Sequence, residues 1–267
     1  CPGTEAKPIY FTSIRDTIGG DSIINDTTTP PAPGDWHQIW VRNGSTSNQF
    51  KYCHFLYGGK DGNSTLYVDG KGSIALCYFY HNLGSTSPWT YNEGPALMIT
   101  EPNQGVTITN SRFYDNLWPL SIPASMSLDN TNTFTYNSRS NTYQGIWINA
   151  VVSPAENISI AVSWNETEVP YCIIEDKITI TASGSLTIAN SGAVKSLGTT
   201  AGFVIQKDAT FNITDSTIFT SYKDDTVMGD TNNDGSTTAP ANGDWYGIWD
   251  EKAGSGRTGT NIKFATK

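Results

Sequence analysis

Short alternating strands recur in threes at a near-constant spacing, and few architectures satisfy that pattern. Between residues 170 and 227, Ile178-x-Ile180, Leu186-x-Ile188 and Val194 are followed by Phe203-x-Ile205, Phe211-x-Ile213 and Ile218, with separations of 25, 25 and 24 residues. Alternation with period two puts each apolar pair on one face of its strand. Three such strands per period describe a chain that coils, each turn stacking strand over equivalent strand on the last. A β-sandwich also has many short strands and turns, but its strands need not repeat at fixed spacing with equivalent inward residues. The expected fold is all-β, a parallel β-helix with three sides and rungs of about 24–25 residues.

The N-terminal half carries the same logic with longer loop insertions. One strand recurs as Ile39-Trp40-Val41, Leu66-Tyr67-Val68, Leu97-Met98-Ile99, Leu120-Ser121-Ile122 and Ile146-Trp147-Ile148. A second recurs as Cys53-x-Phe55, Cys77-x-Phe79, Ser111-x-Phe113 and Asn132-x-Phe134. Three residues after each Phe stands Gly58, Asn82, Asn116 or Asn137. Gly and Asn tolerate the left-handed conformation that a corner requires, and stacked Asn amides can bond along the stack. Cys53 and Cys77 fall on equivalent positions of adjacent rungs, ~4.8 Å apart between strands. Either a Cys53–Cys77 disulfide between rungs or two stacked thiols is compatible with that placement, the parallel Cβ vectors making the bridge awkward.

A longer repeat overlies the rungs. Phe11-Thr12-Ser13, Gly20-Asp21, Gly34-Asp35-Trp36 and Ile39-Trp40 return as Phe219-Thr220-Ser221, Gly229-Asp230, Gly243-Asp244-Trp245 and Ile248-Trp249. From Gly-Asp onward the offset is a constant 209 residues, 230 less 21. The chain therefore reads as part of a tandem array. Residues 1–165 are expected to form one β-helix unit lacking its own N-terminal rungs, and 166–267 to open the next.

Composition narrows the setting. Only 15% of residues are charged while 37% are apolar, so a core forms and the polar remainder is hydroxyl and amide, which favours strands and turns. A net charge of −9 without a basic cluster excludes nucleic acid as a natural partner. No apolar run approaches the ~20 residues of a membrane span. Sequons at Asn25, Asn43, Asn63, Asn157, Asn165 and Asn212 are candidate glycosylation sites in an extracellular or cell-surface protein. The four cysteines show no CxxC spacing, which argues against zinc or dithiol redox chemistry.

Val169-Pro170-Tyr171, the alternating Ile178-Thr179-Ile180 and Leu186-Thr187-Ile188, Gly192-Ala193-Val194, Phe219 through Asp225 and Gly229 through Gly235 resemble a recurring unit of large secreted microbial proteins. These are right-handed parallel β-helix proteins of the pectin-lyase-like superfamily. The resemblance implies the fold and an extracellular setting. It leaves activity open, because that superfamily holds lyases, hydrolases, adhesins and inert stalks.

The sharpest local chemistry is Asp230-x-Asn232-x-Asp234-Gly235. Oxygen ligands at alternate positions of a tight loop converge on one point, and calcium takes six to eight of them. Ala241 stands where an EF-hand places its closing Glu, so Asp225 and Asp244 are the expected additional ligands; an ion-free Asp/Asn-rich turn is the alternative. In the first copy Ile23, Asn25 and Asp26 replace Asn232, Asp234 and Gly235, leaving Asp21, Asn25 and Asp26 as a weak second loop. His37, His54 and His81 lack metal-binding spacing; a β-helix lyase would need a Lys or Arg base near calcium, and Lys223 lies close to the loop, where a solvated lysine is the default reading. The expected function is a non-enzymatic, calcium-stabilised stalk, adhesin or filament segment. Its expected partners are adjacent repeats or identical subunits end to end, and surface glycans. The alternatives are a polysaccharide lyase or glycoside hydrolase of β-helix type, and a carbohydrate-binding module using Trp89, Tyr91 and Trp118.

Overall fold

The computed structural model describes residues 1–18, 28–85, 94–100, 105–148, 157–174 and 176–267. The described residues form an all-β protein whose one helical element is a single 3-10 turn, Lys60–Gly62, and most strands pair in parallel. The chain divides into two compact units: Cys1–Glu101 with Gly105–Ser121 and Thr131–Thr142, and Pro102–Gln104 with Ile122–Asn130 and Tyr143–Lys267.

Three parallel ladders build the first unit. The Cys-x-Phe strands pair in the expected register, Phe55 with Phe79 and Phe79 with Phe113. Ile9–Phe11, which has no Cys to mark it, is the first member, with Phe11 opposite Phe55. Inward alternation then stacks one ring per rung: Phe11–Phe55 at 4.9 Å, Phe55–Phe79 at 4.7 Å, Phe79–Phe113 at 4.9 Å and Phe113–Phe134 at 5.3 Å. Each buried ring contributes its hydrophobic area plus ~1 kcal/mol of ring–ring attraction. The second ladder joins Ile39–Val41, Leu66–Val68, Leu97–Ile99 and Leu120–Ile122, with Leu66, Leu97 and Leu120 fully buried. A third joins Asn48–Lys51, Gly72–Ala75 and Val106–Thr109.

The amide stack differs from the sequence reading in one rung. Asn82 Nδ2 donates to Asn116 Oδ1 at 2.8 Å, and Asn116 Nδ2 donates to Asn141 Oδ1 at 2.9 Å. Asn141 replaces the expected Asn137 because an antiparallel hairpin, Thr135–Tyr136 with Arg139–Ser140, is inserted there. Asn137 and Ser138 form its two-residue turn, both at positive φ (50° and 63°), as primed hairpin turns require. The left-handed corners themselves fall one residue before the stack, at Tyr57, His81 and Asp115. Cys53 and Cys77 are free thiols, with Cys53 Sγ donating to Cys1 O at 3.2 Å.

In the second unit Ile146–Ile148 pairs with Tyr171–Ile173, and Tyr171 pairs with Val194. Ile178 lies opposite Phe203 and Leu186 opposite Phe211, as the spacing predicts. Val194 lies opposite Phe219, not Ile218, because Phe219 is the inward residue, fully buried while Ile218 is half-exposed. All three separations are thereby 25 residues, 219 less 194 included. The long strand Ala193–Ile205 pairs through its first half with Ile218–Ser221 and through its second half with Trp245–Asp250.

Candidate metal centre

The acidic loop hangs from the strand Ile218–Ser221. Asp224, 2% exposed, closes its first turn by accepting from Thr220 Oγ1 at 2.6 Å and Thr226 N at 3.1 Å. Two buried groups pin the next turn on either side of Asp230. Lys195 Nζ donates to Gly229 O at 2.7 Å and Thr231 Oγ1 at 2.8 Å, and Tyr222 OH donates to Thr231 O at 3.1 Å. Asp230 then folds the loop over itself, accepting from Asp234 N at 3.1 Å and Gly235 N at 2.9 Å. Gly235 at φ +62° makes the reversal, as its place after the third acidic position requires.

This brings Asp225, Asp230 and Asp234 together, with one carboxylate oxygen of each within 4.8 Å of the others. Asn232 lies alongside, its Nδ2 donating to Asp234 Oδ2 at 2.8 Å. Asp225 Oδ1 and Asn232 Oδ1 are shielded from solvent and accept no hydrogen bond. A shielded oxygen without a donor costs about 1–3 kcal/mol, so both are positions that a hard cation would satisfy. Burial, and then the charges of Asp230 and Asp234, hold the Asp225 carboxyl above its usual range. Asp234 is held below its usual range by Thr238 Oγ1 and the loop amides, despite slight desolvation. Three converging carboxylates, without sulfur or imidazole, suit calcium in preference to zinc or copper.

Lys195 carries no sequence signal. Alternation places it opposite Val194, on the face away from the core, yet it is fully buried because the loop folds over that face. Desolvation lowers its pKa, opposed by the charges of Cys172, Asp225, Asp224 and Asp230.

Asp244 stands outside the cluster. Its Oδ2 accepts from Ser221 Oγ at 2.6 Å and Ala241 N at 2.9 Å, and its Oδ1 from Lys223 Nζ at 3.0 Å. The first copy repeats this clamp atom for atom: Asp35 Oδ2 accepts from Ser13 Oγ and from Ala32 N at 3.1 Å, and Oδ1 from Arg15 Nη1 at 2.6 Å. Trp36 Nε1 donates to Leu56 O and Trp245 Nε1 to Lys263 O, each at 2.7 Å. The duplicated Gly-Asp-Trp is therefore a structural clamp, and Lys223 is committed to it. Asp21, Asn25 and Asp26 lie outside the described residues; Thr17 occupies the place of Asp225 in that copy.

The remaining candidates are dispersed. His54 stacks between Tyr10 and Tyr78, with centroids at 4.6 and 4.5 Å, and burial lowers its pKa. His81 stacks on Tyr57 at 5.6 Å, and His37 is exposed beside Asp61 at 3.5 Å. Trp118 is 5% exposed with its Nε1 on Ser85 O at 2.9 Å, so it offers no face to a sugar; Trp89 and Tyr91 lie outside the described residues. Among the sequons Asn43, Asn157 and Asn212 are exposed, Asn63 and Asn165 are half-exposed, and Asn25 is outside the described residues. No helix among the described residues is long and apolar enough to cross a membrane. Comparison with protein-family profiles, with curated proteins and with solved structures returned no match.

Proposed function

We propose that the chain is a non-enzymatic structural segment of an extracellular or cell-surface protein, a right-handed parallel β-helix whose C-terminal loop is stabilised by calcium. The observation that carries this reading is the use to which the chemistry-bearing side chains are put. His54 and His81 are stacked on tyrosines, Lys223 and Asp244 close a turn, and Asn82, Asn116 and Asn141 bond rung to rung. Each is spent on holding the chain in register. Asp225, Asp230, Asn232 and Asp234 would hold the ion, which supplies the positive charge that three converging carboxylates lack. Exposed Asn43, Asn157 and Asn212 suit glycan attachment in such a setting.

Thermal unfolding of the chain with calcium or with chelator tests the ion. Calcium at a hundred times its Kd adds about 2.7 kcal/mol, and Asp230→Ala with Asp234→Ala abolishes the increment. An unchanged increment in that double variant removes the site. Release of product from a glycan panel would remove the non-enzymatic reading.

A further inference from the structure

The duplicated block has different strand neighbours in its two copies. In the second copy Ile218–Ser221 has a parallel neighbour on each edge. Phe219 N donates to Asn261 O at 2.8 Å on one side. On the other, Ala193, Val194, Lys195 and Ser196 lie opposite Ile218, Phe219, Thr220 and Ser221, and Ile218 N donates to Gly192 O at 3.0 Å. The following strand, Trp245–Asp250, is covered in turn by Gly202–Ile205.

In the first copy only one of these neighbours is found among the described residues. Ile9–Phe11 pairs with Cys53–Phe55 and ends its sheet, and Ile39–Val41 pairs with Leu66–Val68 and ends its own. Ile9 N donates to Tyr52 O at 3.0 Å, so alternation turns the Tyr10 N–H to the opposite edge. Burial follows the same division. Phe219, Trp245 and Ile248 are fully buried, whereas their counterparts Phe11, Trp36 and Ile39 are half-exposed. Tyr10 is 39% and Trp40 49% exposed, two of the few large apolar side chains left in water among the described residues. The clamp at Asp35 is nonetheless complete, so the described part of this block keeps its twin's turn, while the twin's second neighbour is not found among the described residues.

We infer that this face of the first unit receives a second copy of the segment Gly192–Ile205, supplied by another copy of the repeat. It adds in parallel, with Val194 against Phe11, Lys195 against Thr12, Phe203 against Ile39 and Val204 against Trp40. The occupant is named by the molecule itself, since the second unit shows that segment on the same block in the same register. Strand addition to an open edge supplies main-chain bonds for affinity, and the alternating side chains supply the register. The inference rests on the stacked-repeat reading above and is independent of the calcium loop.

The test titrates the unmodified chain with a synthetic Gly192–Ile205 peptide to millimolar concentration, reading amide exchange at Tyr10 and the emission of Trp40. A second arm joins an extra copy of residues 166–217 directly ahead of Tyr10, reproducing the Thr217–Ile218 junction. Tyr10 exchange is expected to slow at least tenfold and Trp40 emission to shift to the blue. Val194→Pro in the added segment alone should reverse both. The proposal is overturned by an unchanged Tyr10 amide in the peptide arm while Phe219 and Ile248 stay protected, or by protection that survives Val194→Pro. Neither outcome touches the calcium-dependent melting increment, so the two readings fail separately.

Discussion

Glu166 offers the most quantitative test of the packing. It is fully buried, Oε1 accepts from Thr167 N and Glu168 N at 2.8 Å each, and its Oε2 has no partner. Burial pushes its pKa up to about 7 from an ordinary 4.5, against the pull of those two amides. A carboxyl raised on folding is stable in its protonated form. Its contribution is therefore intact below pH 4.5 and is lost as pH rises to about 7, after which the buried charge is a standing penalty. Over that interval, at about 1.4 kcal/mol per pH unit, the penalty reaches about 3 kcal/mol. Glu166→Gln keeps the amide acceptor and removes the charge. At pH 4 the variant and parent should unfold together. At pH 8 the variant should be about 3 kcal/mol more stable, or about 6–12 °C higher in Tm for a domain of this size. Urea unfolding of both proteins from pH 4 to 8 measures the difference. A stability gap that does not change with pH, or a variant weaker than its parent at pH 8, would refute a desolvated carboxyl at this position.

Asn116 makes four side-chain hydrogen bonds, to Phe79 O, Asn141 Oδ1, Asn82 N and Asn82 Nδ2. Asn116→Ala orphans several buried partners at once and should cost about 3 kcal/mol in chemical unfolding. A Cβ at Gly184 would lie 1.9 Å from Ile158 O, a backbone atom. Gly184→Ala should therefore lose at least about 2 kcal/mol, while Ser183→Ala beside it stays within about 0.5 kcal/mol. Asp35→Asn and Asp244→Asn break matching clamps, and their losses should agree within about 0.5 kcal/mol if the duplicated block is one structural device.

The register was legible wherever a large apolar residue marks every rung. Phe55, Phe79 and Phe113 announce their ladder because rings of one size stack only when they recur in place. The third ladder of the first unit escaped notice because Asn48–Lys51, Gly72–Ala75 and Val106–Thr109 carry few apolar positions among polar and small ones. The move from Asn137 to Asn141 was hidden by an inserted hairpin, which alters spacing without altering the core. Within the acidic cluster, the convergence of Asp230 and Asp234 is readable because local spacing alone brings their carboxylates together. Nearness in sequence suggests Asp244 as a further ligand, but it does not reveal that Ser221, Ala241 and Lys223 hold its carboxylate. The burial of Lys195 depends on a loop more than thirty residues later, 229 less 195, which no local pattern encodes.

The amide stack bears on how a protein of this kind changes length. Each asparagine donates to the next amide and to a main-chain carbonyl one rung back, Asn82 to Phe55 O and Asn116 to Phe79 O. It accepts in the same step from the rung before. The unit is thus chemically closed under repetition: an inserted rung with its own Asn brings as many donors as acceptors and leaves no buried group wanting. The ends are handled separately, by Gly58 N at one and by Phe134 O at the other. Whole rungs can consequently be gained or lost by duplication and deletion with little chemical penalty, whereas slippage by a single residue would break every link in the stack.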